Sequence, residues 1–214
     1  MTVAFPDNLI LLLSVDIVGS AAFKASAPQH KGNPSWVSAF EAFYDQVPRL
    51  LQEQRQGLAD QLAPNLQLWK AIGDQLVFLA WPKHPDQLEA ECLAFLRGLR
   101  RSNQVMRERW GFCLHGVVWG FPEGGANVSF RFRQPQLSGG AGFDLIGPDV
   151  DLGFRLVSFA PDGDVLAPLE LRRLLPLKRL RLDLIGEASL KGISLDPYPL
   201  LQLQEQGLAP CTRR

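Results

Sequence analysis

A strand, a helix, a β-hairpin, a second helix and a further strand follow one another along this chain. That order predicts an α+β fold, a mixed sheet with helices packed on one face, of ferredoxin-like kind. Three observations carry the prediction. Leu9 to Val15 is a near-continuous apolar run of strand length. Two more apolar stretches, Leu66 to Ile72 and Leu76 to Trp81, meet at Gly73-Asp74. Apolar side chains also recur at helical spacing both before and after that hairpin. With 214 residues, 46% of them hydrophobic and 21% charged, the chain is long enough for one sizeable core, and a single domain over residues 1–214 is expected.

Leu9 to Val15 has the pattern of a strand buried on both faces, which belongs inside a sheet rather than at its edge. After a loop rich in Gly, Pro and Asn, the residues Trp36, Phe40, Phe43 and Val47 form a helical stripe, with Pro34 and Ser35 suiting the helix start and Pro48 a site for a kink. The hairpin follows, then Leu88, Cys92, Phe95, Leu99 and Met106 mark the apolar face of a second helix. Phe112 to Val118 reads as a fourth strand and Val128 to Phe132 as a fifth, with Ser138 to Gly142 as a glycine-rich loop. Pro148 suits the first turn of a helix running to about Ala160. Short strands, Pro-rich turns and a helix near Leu169 to Leu175 fill the rest, ending in Leu200 to Leu203, and no internal repeat is present.

Composition narrows the function. The 22 basic residues balance 22 acidic ones, so no global field draws the protein to nucleic acid or an anionic membrane, and a small ligand is expected. The arginines at 97, 100, 101, 107 and 109 read as a solvated helix face. Cys92, Cys113 and Cys211 lack the spacing of a zinc site or a disulfide framework, and the first two read as core thiols of a reducing compartment. The run Leu9 to Val15 is too short to span a membrane and ends in a carboxylate, so neither membrane insertion nor a cleaved signal is expected, and a cytoplasmic location is.

The chemistry concentrates in a few acidic and basic residues. Asp16 ends an apolar strand and passes into Ile17-Val18-Gly19-Ser20, so a carboxylate stands beside a row of backbone N–H groups suited to phosphate oxygens. Asp74, in Lys70-Ala71-Ile72-Gly73-Asp74, sits in a tight turn, and a second carboxylate on a neighbouring hairpin would complete a two-ion clamp for a triphosphate. Asp144, Asp151 and Arg155 form a third group. Asp151 and Arg155 are four apart at a helix start and share a face, as in a surface ion pair or in a site that stabilises charge on a phosphoryl group in flight. His115, on a strand among Phe112, Leu114 and Val117, reads as a satisfied core residue and is left outside the site.

At these residues the sequence resembles the class III nucleotidyl cyclases. Asp16 with Ile17-Val18-Gly19 looks like that family's first metal motif, and Lys70-Ala71-Ile72-Gly73-Asp74 like its Lys-x-x-Gly-Asp hairpin. Leu114-His115-Gly116 is similar to its fourth-strand motif. Asp144, Asp151 and Arg155 fall at the base-reading, ribose-orienting and transition-state positions, and Leu190-Lys191-Gly192 resembles the motif whose lysine reaches the terminal phosphates. Ser20-Ala21 replaces the usual Phe-Thr after Gly19, and Asp151 stands where Asn is common. Gly19-Ser20, Phe23-Lys24, the aromatic helix Trp36 to Tyr44, Ile146-Gly147-Pro148 and Gly153-Phe154-Arg155 look most like the stand-alone pyrimidine cyclases of Pycsar antiphage systems.

The resemblance implies cyclisation of a nucleoside triphosphate with release of pyrophosphate. Two divalent cations, Mn2+ or Mg2+, would be held by Asp16, Asp74 and the Ile17 carbonyl. Substrate would be bound by Lys70, Asp144, Lys191 and the loop Val18, Gly19 and Ser20, with Asp151 and Arg155 catalytic. It further implies a homodimer with shared sites, metals from one protomer and Lys70, Asp144, Asp151 and Arg155 from the other, whose product a separate effector protein reads as an antiviral signal. UTP is the expected substrate, with CTP, ATP and GTP as alternatives. Phe40, Phe43 and Tyr44 are candidates to narrow the base pocket. A catalytically silent nucleotide-binding module on the same scaffold is the reading from a different class. A diguanylate-cyclase or polymerase-palm enzyme ranks lower, because the hairpin reads Ile-Gly-Asp-Gln.

Overall fold

The computed structural model describes residues 4–26, 29–30, 33–34, 36–62, 65–133 and 141–207. Along the chain run β1 (Leu9–Ile17), α1 (Ser20–Ser26), β2 (Gln29–His30), β3 (Asn33–Pro34), α2 (Trp36–Gln56), β4 (Gln67–Ile72), β5 (Gln75–Ala80) and α3 (Pro85–Trp110). Then follow β6 (Leu114–Pro122), β7 (Val128–Arg133), β8 (Ala141–Ile146), α4 (Pro148–Leu156), β9 (Val165–Ala167), α5 (Leu169–Arg172), β10 (Leu180–Ala188) and β11 (Tyr198–Glu205). Seven strands form one mixed sheet in the order β10-β11-β9-β6-β1-β5-β4, with β6 and β9 its one parallel pair, while β2–β3 and β7–β8 stand as separate antiparallel pairs. The expected α+β architecture is present, with β1 hydrogen-bonded on both edges.

Because side chains alternate across a strand, β1 feeds two cores. Leu9, Leu11, Leu13, Val15 and Ile17 pack with α2 and α3 through Phe43, Val47, Leu93 and Phe95. Ile10 and Leu12 face the other way, onto Trp119, Val150, Leu152 and Leu156 of β6 and α4. The expectation of helices on one face is therefore corrected: α4 covers the opposite face, and β6 alternates apolar residues for both layers. The expected glycine-rich loop Ser138 to Gly142 is corrected at its end, because Gly142 lies in β8, whose backbone pairs with β7; residues 134–140 lie outside the described residues, as does Cys211. The short helix α1 has no counterpart in the apolar pattern of the sequence, while α2 continues through Pro48.

Local chemistry sets the helix ends. Pro85 occupies the first turn of α3, His84 Nδ1 accepts the Gln87 N–H at 3.3 Å, and Gly111 closes the helix in the left-handed conformation with φ 76°. Two buried acids tie α3 to its neighbours: Glu91 pairs with Arg55 of α2, and Glu89 accepts the backbone N–H groups of Arg179 and Leu180 at 2.9 and 3.2 Å. At α4 the buried Asn127 acts as a cap from a distance, its Oδ1 accepting the Asp149 N–H at 3.2 Å while its Nδ2 donates to Asp149 Oδ2 at 2.6 Å. Among the described residues no helix is long and apolar enough to cross a membrane.

Close approach of backbone to indole seats α4. A Cβ placed on Gly153 would lie 2.0 Å from Cε2 of the fully buried Trp119, so only glycine lets the helix rest on that ring. The Phe154 ring meets the same indole edge-on at 5.5 Å. Gly153→Ala is expected to destabilise the protein by about 3 kcal/mol, because helix or indole must move. Chemical denaturation checks this: Trp119→Phe in the same chain should recover part of the loss, and an unchanged unfolding midpoint for Gly153→Ala would contradict the packing.

Candidate active site

Asp16 stands next to last in β1, where the register places it opposite Gln75 of β5 and His115 of β6. Its parity puts the side chain on the α4 face, away from α2 and α3. Asp74 lies in the two-residue turn between β4 and β5, where Gly73 adopts φ 61°, a conformation that costs glycine least. The two acidic residues are joined through backbone: the Ile17 N–H donates to the Asp74 carbonyl at 3.2 Å and to Asp16 Oδ1 at 2.9 Å. Ser20, buried at the start of α1, donates its hydroxyl to Asp74 Oδ2. One corner of the sheet thus holds Asp16, Asp74, Ser20 and His115.

The row of free N–H groups expected over Val18, Gly19 and Ser20 is shorter than the sequence implies. The Val18 N–H donates to the Cys113 carbonyl at 2.9 Å, so Val18 is withdrawn as a backbone phosphate donor. That bond continues the sheet pairing one step past β1, a consequence of register that no local pattern reveals. Gly19 then turns the chain with φ 64°, leaving its N–H and that of Ser20 without a backbone acceptor among the described residues.

Among the described residues no three His, Cys, Asp or Glu side chains converge into a ready-made metal cage. The donor set still fits a divalent ion shared with a ligand: Asp16 keeps Oδ2 clear of the Ile17 N–H, Asp74 keeps Oδ1, and hard carboxylate oxygens suit Mg2+ or Mn2+ completed by phosphate oxygens and water.

Two further groups are joined to this corner by no hydrogen bond or ion pair among the described residues. Lys70 of β4 places Nζ 2.6 Å from Asp144 Oδ1 of β8, and that oxygen also accepts the Leu145 N–H at 2.8 Å. Trp69 supports the pair, its ring 4.3 Å below the Lys70 ammonium and its Nε1 donating to the Phe143 carbonyl at 3.2 Å. Arg155 of α4 has its Nε buried with no partner, and its Nη2 faces the Lys191-Gly192 turn, where a Cβ on Gly192 would lie 3.8 Å away. Asp151 is exposed and forms no ion pair with Arg155, so the surface-pair alternative does not hold. A buried guanidinium nitrogen without an acceptor is costly and suits a site that receives an anion.

Of the three aromatic candidates on α2, Phe43 is fully buried and Phe40 is 7% exposed. Tyr44 alone is open, at 38%, and its hydroxyl donates to the Gly73 carbonyl beside Asp74. Partial burial, with the Asp74 charge, raises the phenol above its ordinary pKa. Tyr44, Phe40, Trp36, Glu41, Lys24 and Gly73 line a cavity of about 400 Å³.

His115, set aside in the sequence reading, is satisfied as a core residue and also faces the site. Nδ1 lies 2.7 Å from the Ala160 carbonyl and Nε2 lies 3.6 Å from Asp16 Oδ2. Its place two strands from the hairpin gave no sequence signal, since only register reveals it as the neighbour of Asp16. Burial lowers its pKa, but the Asp16 carboxylate, the Ala160 carbonyl and the Asp162 charge outweigh burial and leave it above the ordinary imidazole value.

The sequence matches no protein-family model and no curated protein. Solved structures do match. The adenylyl cyclase CyaB from P. aeruginosa superposes with a TM-score of 0.64 at 16% identity, over 95% of this chain and 96% of that one. The guanylate cyclase domain of RhGC from Catenaria anguillulae, in complex with GTP, gives 0.61 at 10% identity over 94% and 98%. The catalytic core of a rhodopsin-guanylyl cyclase with converted specificity, in complex with ATPαS, gives 0.62 at 12% over 95% and 98%. At such identities the likeness establishes the fold.

The His115 pKa gives a prediction. A raised folded-state value stabilises the native protein fully below the unfolded value of about 6.5, and that contribution fades as pH rises through the folded value. In metal-free protein the His115 ring resonance should titrate above ordinary imidazole, and Asp16→Asn should lower the midpoint. A midpoint at or below the ordinary value in the unmodified protein would contradict the pairing.

Proposed function

Starting from the fold of the class III adenylyl and guanylyl cyclase domains, we propose that this protein cyclises a nucleoside triphosphate to a 3′,5′-cyclic nucleotide with release of pyrophosphate. The observation that carries the reading is the sheet corner where the Ile17 N–H binds both the Asp74 carbonyl and Asp16 Oδ1 and so ties the two acidic residues to one point of the backbone. When bound, two divalent cations supply the Lewis acidity that activates the ribose 3′ hydroxyl and offset charge on the leaving phosphates. Asp16, Asp74 and the Ile17 carbonyl would hold them. Gly19 and Ser20 offer N–H groups to phosphate oxygens, and Ser20 orients Asp74.

Arg155 meets the charge that builds on the α-phosphoryl oxygens, and its buried, unpartnered Nε supports that role. Lys191, on the turn beside Arg155, would receive the pyrophosphate. Lys70 supplies a donor and Asp144 an acceptor to the base edge. Asp151, exposed on α4, orients the ribose.

The site is proposed to be shared in a homodimer. Within one chain the metal corner is not bonded to the Lys70–Asp144 pair or to Arg155. The β7–β8 hairpin also carries exposed Val128, Phe130 and Ile146 on the face it shares with Asp144. An apolar surface around a base-reading residue suits cover by a second copy.

The substrate is proposed to be UTP, giving cyclic UMP as an antiviral signal read by an effector protein. Since related folds are solved with GTP and with ATPαS, the fold does not choose the base. The choice rests on the likeness of the motifs to pyrimidine cyclases and on Tyr44. A rigid ring fixed to the metal turn could exclude a purine by size, and steric rejection discriminates more strongly than a small gain in fit.

Pyrophosphate release tests the reaction. Asp16→Asn and Asp74→Asn are expected to lower it at least about a hundredfold while the protein stays folded, because each removes a charge from a two-ion site without changing its shape. Near-normal release by either folded variant would remove that residue from the metal site, and no release by the unmodified protein with any ribonucleoside triphosphate and Mn2+ would overturn the enzyme reading.

A further inference from the structure

We propose that His115 is a further ligand of the metal corner, its Nε2 joining Asp16 Oδ2 on one ion and making that site a mixed nitrogen–oxygen site. The inference rests on the metal assignment made under the cyclase reading. The Ala160 carbonyl can only accept, so the contact at 2.7 Å places a hydrogen on Nδ1, and the neutral ring carries its lone pair on Nε2. A histidine held through its far nitrogen by a backbone carbonyl is the usual arrangement of a metal-ligating imidazole. Asp16 is prepared in the same way, because the Ile17 N–H holds Oδ1 and leaves Oδ2 toward the ring.

The separation also fits. Two ligands bound at roughly 2.1 Å lie roughly 3.0 Å apart at a right angle and roughly 3.4 Å apart at a tetrahedral one. The observed 3.6 Å therefore closes onto one ion with a movement of a few tenths of an ångström. The ring is 10% exposed and the Asp16 side chain 22%, so the carboxylate is the more open of the two. Imidazole favours first-row transition ions, whereas an all-oxygen set suits Mg2+, so the site should prefer Mn2+ to Mg2+.

Pulsed electron paramagnetic resonance of Mn2+ on the substrate-free, full-length protein tests this. A histidine nitrogen coupling is expected, changed by labelling histidine with nitrogen-15 and lost in His115→Gln, and the preference for Mn2+ over Mg2+ should fall about tenfold in that variant. Bound Mn2+ with no histidine coupling, or a coupling that persists in His115→Gln, overturns the inference. If His115→Gln does not fold, Asp16→Asn decides: loss of the coupling supports the shared ion, and its persistence refutes it. Pyrophosphate release without the coupling would leave the cyclase reading standing and remove this one, and the coupling without release would do the reverse.

Discussion

The site depends on the register of β1. That strand is bonded along both edges, to β5 and β6, and the two registers together place Asp16 between Gln75 and His115. A slip of one residue would turn Asp16 into the apolar layer beneath α2 and α3 and bring an aliphatic side chain to the corner. The burial of Leu9, Leu11 and Leu13 on one face and Ile10 and Leu12 on the other resists such a slip. The hydrophobic pattern of the strand therefore fixes the position of a carboxylate.

A second constraint acts from the far face. Gly153 lets α4 lie against Trp119, and Asn127 caps the helix, so Arg155 is presented from a seated element. The cost is visible locally, since the Nε of Arg155 and the Nε1 of Trp119 are both buried without partners. For Trp119 no ligand role follows, and the lost hydrogen bond reads as the consequence of close packing under a glycine. For Arg155 the Nε is left unpaired while Nη2 of the same guanidinium faces the Lys191-Gly192 turn.

Much of this was legible in the sequence because it is local. The apolar run ending in Asp16, the Gly73-Asp74 turn and the helical stripe from Leu88 to Met106 each announce themselves through period and turn chemistry, and β1, the β4–β5 hairpin and α3 lie where those signals place them. What was not legible is long-range. The pairing of β8 with β7, the position of α4 on the opposite face, the bond that occupies the Val18 N–H and the approach of His115 to Asp16 all follow from which strands become neighbours. That Tyr44 is exposed while Phe40 and Phe43 are buried likewise follows from packing, which the helical stripe alone does not resolve.

The most direct test of the account is a mass spectrum of the products formed from an equimolar mixture of ATP, GTP, CTP and UTP with Mn2+. The account predicts a 3′,5′-cyclic nucleotide, with cyclic UMP in excess. Predominant cyclic AMP or cyclic GMP would contradict the proposed base selection, and the absence of any cyclic nucleotide would contradict the central claim that the Asp16–Asp74 corner is a cyclase site.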